Sequence, residues 1–243
     1  MEETAIYPLG PLVPGRLIRR YKRFLADIRL EDGQEVVAHC ANSGAMTSCI
    51  EAGAPVMVSA LPPSPSRKLL YAWQMIQMGG TWVGVNTALP NAAAAAFVAQ
   101  GQVPELTGYG RVRREVRYGE NLRSRIDLLL EDHPILGHCH VEIKSTTLRI
   151  GDHGAFPDSV TVRGQKHLRE LTHLAQNGHR AVMFYFLGRS DCARFRPADE
   201  IDPAYGALLR TAVAAGVEIL AYRMAFAPVG IRLLGPAPVD LTL

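Results

Sequence analysis

The sequence predicts a two-domain α+β protein, with residues 1–82 all-β and residues 83–243 a mixture of strands and helices around a central mixed sheet. Three observations carry that expectation. Short alternating runs broken by turn residues fill the N-terminal part, whereas helix-forming sequence begins only after Asn91. The stretch A-V-M-F-Y-F-L, Ala181–Leu187, is apolar on both parities, as a central strand covered on both faces is. The 243 residues suit one or two domains, and 48% hydrophobic against 20% charged residues supports a sizeable core.

Leu17–Leu30 (L-I-R-R-Y-K-R-F-L-A-D-I-R-L) alternates as strands do, and E-D-G-Q supplies a turn before E-V-V-A-H-C. Pro55–Ser59 offers a further strand, the proline- and serine-rich Leu61–Lys68 a loop, and T-W-V-G-V-N-T another strand. Several short strands in this length suit a small OB-like barrel, a fold that often binds oligonucleotides. Asn91 is placed to cap a helix containing five alanines, which Gly101 and Pro104 bracket at its end. Strands are expected at Arg111–Tyr118, Arg125–Glu131 and His138–Thr146. A helix is expected at Ser159–Gln176, where Leu168, Leu171 and Leu174 share helical spacing and Asn177-Gly178 stops it. A second helix, Pro203–Ala215, has Asp202 as its cap and proline at its first position, and V-E-I-L-A-Y-R-M-A-F closes the core as a strand.

No tract is long enough to span a bilayer, and the opening M-E-E-T-A-I-Y-P lacks the basic and apolar regions of a secretory signal. Cys40, Cys49, Cys139 and Cys192 are widely spaced without a C-x-x-C pair, which argues against a zinc ribbon and for a reducing compartment; a cytoplasmic protein is expected. Net charge is only +3, but basic residues cluster. Arg16, Arg19, Arg20, Lys22 and Arg23 form one group, with Tyr21 and Phe24 interleaved; Arg111, Arg113, Arg114, Arg117, Arg123 and Arg125 form another. Both groups suit a phosphate backbone, the first with base stacking by its aromatics, and both equally suit solvated faces.

The chemistry concentrates on two strands. Alternation puts Arg125, Asp127 and Leu129 on one face of the first, with Ile126, Leu128 and Leu130 on the other. In V-E-I-K-S-T-T, Val141–Thr147, it puts Glu142 and Lys144 on one face, with Val141 and Ile143 facing the core. A carboxylate such as Asp127 among core-forming residues needs a partner. If the strands are neighbours, Asp127 and Glu142 meet over one site beside Lys144. Two carboxylates and a backbone carbonyl are a sound donor set for Mg²⁺ or Mn²⁺, which would take phosphate oxygens as further ligands. The plain alternative is an ordinary ion pair. H-C-H at His138–His140 lacks a second ligand pair for zinc, and Ser43 lacks a G-x-S-x-G setting. Asn42-Ser43-Gly44 fits a turn, with a phosphate contact through its amides as a further expectation.

Asp127 followed by E-I-K at Glu142–Lys144, in the order helix, three strands, helix, strand, resembles the PD-(D/E)XK nuclease superfamily. Longer stretches resemble the SfsA family (sugar fermentation stimulation protein A): H-C-A-N-S-G-A-M-T, V-G-V-N-T, R-S-R-I-D, V-E-I-K-S-T-T-L, F-P-D-S-V-T-V-R-G-Q-K-H-L-R-E-L and G-V-E-I-L-A-Y. That resemblance implies a bacterial DNA-binding protein associated with regulation of sugar metabolism, with an N-terminal OB-like barrel and a C-terminal PD-(D/E)XK nuclease-like domain. It puts metal-binding acids at Asp127 and Glu142 and the site lysine at Lys144. Glu115, in R-E-V-R-Y-G, is a further catalytic candidate or else an ion-pair partner of the arginines on its strand. Gln165 is a catalytic candidate too, and Lys166 a phosphate contact beside it; solvent exposure is the alternative for both. The helix after Asn91 departs from the family, reading A-A-A-A-A-F where an arginine and a glutamate are usual, so no acid carries over there. A Mg²⁺-dependent nuclease acting on DNA is expected, with a non-enzymatic DNA-binding regulator as the alternative.

Overall fold

The computed structural model describes residues 6–65, 67–118 and 124–242, so Arg123 of the second basic group and the first five residues lie outside the described part. Strands β1 (Ile6–Pro8), β2 (Val13–Tyr21), β3 (Leu25–Leu30), β4 (Glu35–His39), β5 (Pro55–Ala60), β6 (Tyr71–Met78) and β7 (Thr81–Gly84) come first. Of these, β2 to β6 close into a five-stranded barrel in the order β2-β3-β4-β6-β5, sealed by parallel pairing of Ala38 with Tyr71 and His39 with Ala72. This is the OB order. Alternation drives it: Leu17, Ala26, Ile28, Val56, Val58 and Trp73 fill the lumen while the arginines between them face out. Irregularities at Leu17/Arg19 and Met57/Val58 bend the strands enough for closure.

The rest of the chain forms α1 (Leu89–Ala99), β8 (Arg111–Tyr118), β9 (Ser124–Glu131), β10 (Cys139–Thr146), β11 (Leu148–Ile150), β12 (His153–Phe156), α2 (Val162–Gln176), β13 (Arg180–Leu187), β14 (Arg194–Pro197), α3 (Pro203–Ala214), β15 (Glu218–Ala227) and β16 (Gly230–Pro236). Its mixed sheet has the order β1-β16-β15-β13-β10-β9-β8, with β10, β13 and β15 parallel at the centre. The strand β1 thus joins the larger sheet through its pairing with β16, and the expected division at 82/83 falls inside β7, which pairs with β6. Both faces of the sheet are covered. Val182, Phe184 and Phe186 pack under α1, while Met183, Tyr185 and Leu187 pack under α2 and α3, which is why β13 is apolar on both parities.

Two expected caps come out differently. Asp202 caps α3, accepting from Tyr205 N at 3.0 Å, as its position before proline implies. Asn91 caps nothing: α1 starts three residues earlier than that cap implies, at Leu89 after Ala88, because Asn86 Oδ1 accepts from Ala88 N and Pro90 fits the first turn. The helix α2 begins at Val162 rather than Ser159, since Thr161 supplies the capping oxygen to Gly164 N at 3.0 Å. No helix among the described residues is long and apolar enough to cross a membrane. All four cysteines are buried and unbridged.

Candidate functional site

The site is built on a fork in the sheet. The strands β9 and β10 pair at Leu130–Cys139, Leu129–His140 and Leu128–Val141, and there the ladder stops. Beyond it β9 stays with β8 and leaves β10, which continues along β13. Separation frees the Ile143 N–H, and a buried amide needs an acceptor. Asp127 fills the gap: its Oδ2 accepts from Ile143 N at 2.7 Å, and its Oδ1 accepts from Asn91 Nδ2 on α1 at 2.7 Å. The turn of β9 at the fork also breaks the expected alternation. Ile126 packs with Leu129 on the α2 side, while Leu128 and Leu130 pack on the α1 side.

Along β10 the alternation holds. Cys139, Val141 and Ile143 enter the core under α1, and Glu142 and Lys144 share the opposite face, nearly buried. Lys144 Nζ lies 2.7 Å from Glu142 Oε1. His167, from the second turn of α2, contacts that same oxygen through Nδ1 and lies 2.9 Å from Lys144 Nζ. Glu142 therefore stays below the usual glutamate range: burial works to raise it, but Lys144 and His167 together outweigh burial. Asp127 is pushed the other way, to about 7, first by burial and then by the charge of Glu142, against the bond from Ile143 N and the pull of Lys144. Among the described residues no three His, Cys, Asp or Glu side chains group as a ready metal cage.

The barrel supplies the other wall. Asn42, Ser43, Gly44 and Thr87 line the same cleft of about 420 Å³ as Asp127, Glu142, Lys144, Asp158, Arg163 and His167. The loop after β4 is fixed on both sides. Asn42 Nδ2 donates to Val85 O, Met46 N to Asp158 Oδ2 at 3.0 Å, and Ser48 Oγ to Thr147 O. A β-carbon on Gly44 would lie 2.3 Å from Asp158 Oδ2, so only glycine permits this approach. Arg189, paired with Asp191 at 2.6 Å, donates to Thr147 O and Ser48 O beneath the junction. The amides expected to meet a phosphate are partly committed, since Gly44 N donates to Asn42 Oδ1 within the turn.

The sequence-derived candidates divide. Asp127, Glu142 and Lys144 converge as expected. Glu115 stands beside them, 3.4 Å from Asn91 Nδ2 and 3.4 Å from Arg125 Nη1, in the left-handed region at φ 55°. Gln165 does not join them: its Nε2 donates to both oxygens of Asp202, at 3.0 and 3.2 Å, because the late start of α2 turns it toward α3. Lys166 pairs with Glu170 one turn on, and Arg113 with Glu131. In the first basic group Arg16 donates to Gly53 O, Arg19 pairs with Asp27, and Arg20 donates to the carbonyls of Arg23, Asn42, Gly44 and Ala45; Lys22 and Arg23 are exposed at the hairpin tip. Sequence reasoning gave Asn91 a capping role instead of its bond to Asp127, and it missed Arg163 and His167. The pair Arg163 and His167 was legible as an i, i+4 spacing that opens onto one face.

Two family models match the chain, the SfsA N-terminal OB domain over residues 18–85 and the sugar fermentation stimulation protein RE domain over residues 88–230. The sugar fermentation stimulation protein homolog of Thermosynechococcus vestitus is 54% identical over 237 residues, covering 97% of each chain. That of Geobacter metallireducens is 53% identical over 231 residues, covering 95% of this chain and 98% of its own. A solved structure, that of Pyrococcus furiosus SfsA in complex with Ca²⁺, superposes with a TM-score of 0.87 at 29% identity, covering 97% of this chain and 98% of the other. With both domains matched and relatives above half identity along almost the whole length, the chain belongs to the SfsA family of sugar fermentation stimulation proteins.

Proposed function

We propose that this protein binds DNA and hydrolyses phosphodiester bonds at the fork, in the manner of PD-(D/E)XK nucleases, with Mg²⁺ or Mn²⁺ as cofactor. The observation that carries the reading is the meeting of Asp127 with Glu142 and Lys144 where β9 leaves β10. Asp127, pushed to about 7 first by burial and then by the charge of Glu142, forms an unfavourable pair with it, and a divalent cation relieves that pair. The complex of the Pyrococcus furiosus relative with Ca²⁺ supports a cation in this family's fold.

The residues fit such an ion. Asp127, Glu142 and the carbonyl of Ile143 would hold it, with Glu115 in reach through the water shell that Mg²⁺ retains. When bound, the cation acidifies a water and offsets charge on the phosphoryl oxygens. Lys144 places its ammonium beside Glu142, where it neutralises a phosphate oxygen or orients the attacking water. His167 fixes Lys144 and Glu142 relative to each other, and Asn91 fixes Asp127. Arg163 lines the cleft and supplies a phosphate contact.

A second reading, a non-enzymatic DNA-binding regulator of sugar metabolism, draws on one observation. Asn91 donates to Asp127, and Lys144 and His167 satisfy Glu142, so the acids have partners without a cation. Cleavage of labelled DNA in Mg²⁺ separates the two. The nuclease reading expects cutting by the wild type and a loss of at least about a hundredfold in Asp127→Asn and Lys144→Ala. Equal cutting by wild type and variants means a contaminant and leaves the regulator.

A further inference from the structure

The tip of the β2–β3 hairpin has no place in the site described above, yet it is joined to it. Lys22 and Arg23 are consecutive non-glycine residues in the left-handed region, at φ 46° and 64°. Such conformations disfavour β-carbon-bearing residues, and turn positions of this kind ordinarily take glycine or asparagine. Phe24, next in the chain, is 45% exposed, an unusual position for a phenylalanine on a hairpin tip. Strain and an exposed aromatic beside two cations mark a contact surface.

Arg20 couples this tip to the cleft. Its Nε donates to Arg23 O at 3.0 Å, and its Nη2 donates to Asn42 O at 2.9 Å and Gly44 O at 3.0 Å. Asn42 and Gly44 line the cleft that holds Asp127 and Glu142. One guanidinium therefore ties the tip to the wall of that cleft. Arg19, stacked on Tyr21 at 4.8 Å and paired with Asp27, stiffens the strand below. The loop lies between the first two barrel strands, a place where OB barrels grip oligonucleotides, which adds a fold-level analogy.

We propose that Lys22, Arg23 and Phe24 form a strand-gripping finger that selects single-stranded DNA or an unpaired end. Phe24 stacks on an unpaired base, while Lys22 and Arg23 hold the flanking phosphates. A base in a duplex keeps its π-face against its neighbours, so Phe24 gains nothing from a fully paired substrate. This inference rests on the reading of the cleft as a phosphodiester site, and it names that site's substrate class.

The test compares the full-length wild type, Phe24→Ala, Phe24→Trp and Asp127→Asn on a fluorescein-labelled oligothymidylate and on a duplex of equal length. Binding is followed by anisotropy in EDTA and cleavage in Mg²⁺. The expected result is that Phe24→Ala weakens single-strand binding about tenfold or more while leaving duplex binding nearly unchanged. Phe24→Trp retains affinity, and its added indole emission is quenched by the oligothymidylate. Equal loss on both DNAs, no loss on either, or an unquenched indole overturns the finger. A strand-selective loss without Asp127-dependent cleavage upholds the finger and removes the nuclease reading. Asp127-dependent cleavage with Phe24→Ala unimpaired overturns the finger and keeps that reading.

Discussion

Asp127 gives one oxygen to Asn91 Nδ2 and the other to Ile143 N, both at 2.7 Å, and its proton is held up to about pH 7 by burial and by Glu142. The folded state then carries a proton that the unfolded chain has lost above its ordinary value of 3.8. Between those two values folding binds protons, so stability without metal falls as pH rises, and the full cost is present above about 7. Metal-free melting temperatures at pH 5, 6.5 and 8 should fall along the series, and Asp127→Asn should flatten the fall. A slope unchanged in the variant would place the titrating group elsewhere. Because a bound cation displaces that proton, Mg²⁺ affinity should rise with pH through the same window. Asn91 shows what the sequence hides at this scale. Polar and ahead of an alanine run, it reads as a cap, yet its amide is spent on a carboxylate 36 residues away. Only the tertiary fork creates that need.

At the scale of the element, the loop after β4 joins the barrel to the sheet through a few fixed contacts. Gly44→Ala would force its new β-carbon against Asp158 and displace the Met46 N–Asp158 bond. Since only steric contact is at issue there, we expect a loss of about 1–3 kcal/mol in denaturant unfolding, with reduced binding to DNA. A stability within error of the wild type would mean that the junction is loose. The elements themselves were largely legible. The strand β13 announced itself by apolar residues on both parities, and Asp202 before Pro203 announced the start of α3. The face of Glu142 and Lys144 followed from alternation alone. Two things were not legible: the twist of β9 at Asp127, which breaks alternation because the ladder ends there, and the start of α2 at Val162 after its Thr161 cap, with Gln165 turned onto Asp202 and away from the cleft.

Across the whole molecule, the barrel and the sheet meet around one cleft, and the charge is uneven in a chain whose net value is only +3. Many of the expected basic contacts are internal. Arg16, Arg19, Arg20, Arg113 and Arg125 all have partners within the protein; Lys22 and Arg23 stand exposed at the hairpin tip, and Arg163 lines the cleft with its Nε on His167 Nε2 at 3.4 Å, so these three are among those best placed for phosphate. Few phosphate contacts mean a modest salt slope, about 0.7–0.9 in log affinity per phosphate neutralised. Affinity for DNA should therefore fall steadily across a salt series, and Lys22→Ala or Arg23→Ala should each lower the slope by roughly one contact. Affinity that barely moves with salt would remove the electrostatic part of the binding.

Everything proposed for the cleft depends on whether its acids take a cation. Calorimetric titration of Mg²⁺ and Mn²⁺ into the full-length wild type and into Asp127→Asn tests this most directly. The nuclease reading predicts saturable binding to the wild type, with proton release near neutral pH, and its loss in the variant. Absence of binding to the wild type, or equal binding to both proteins, would contradict it.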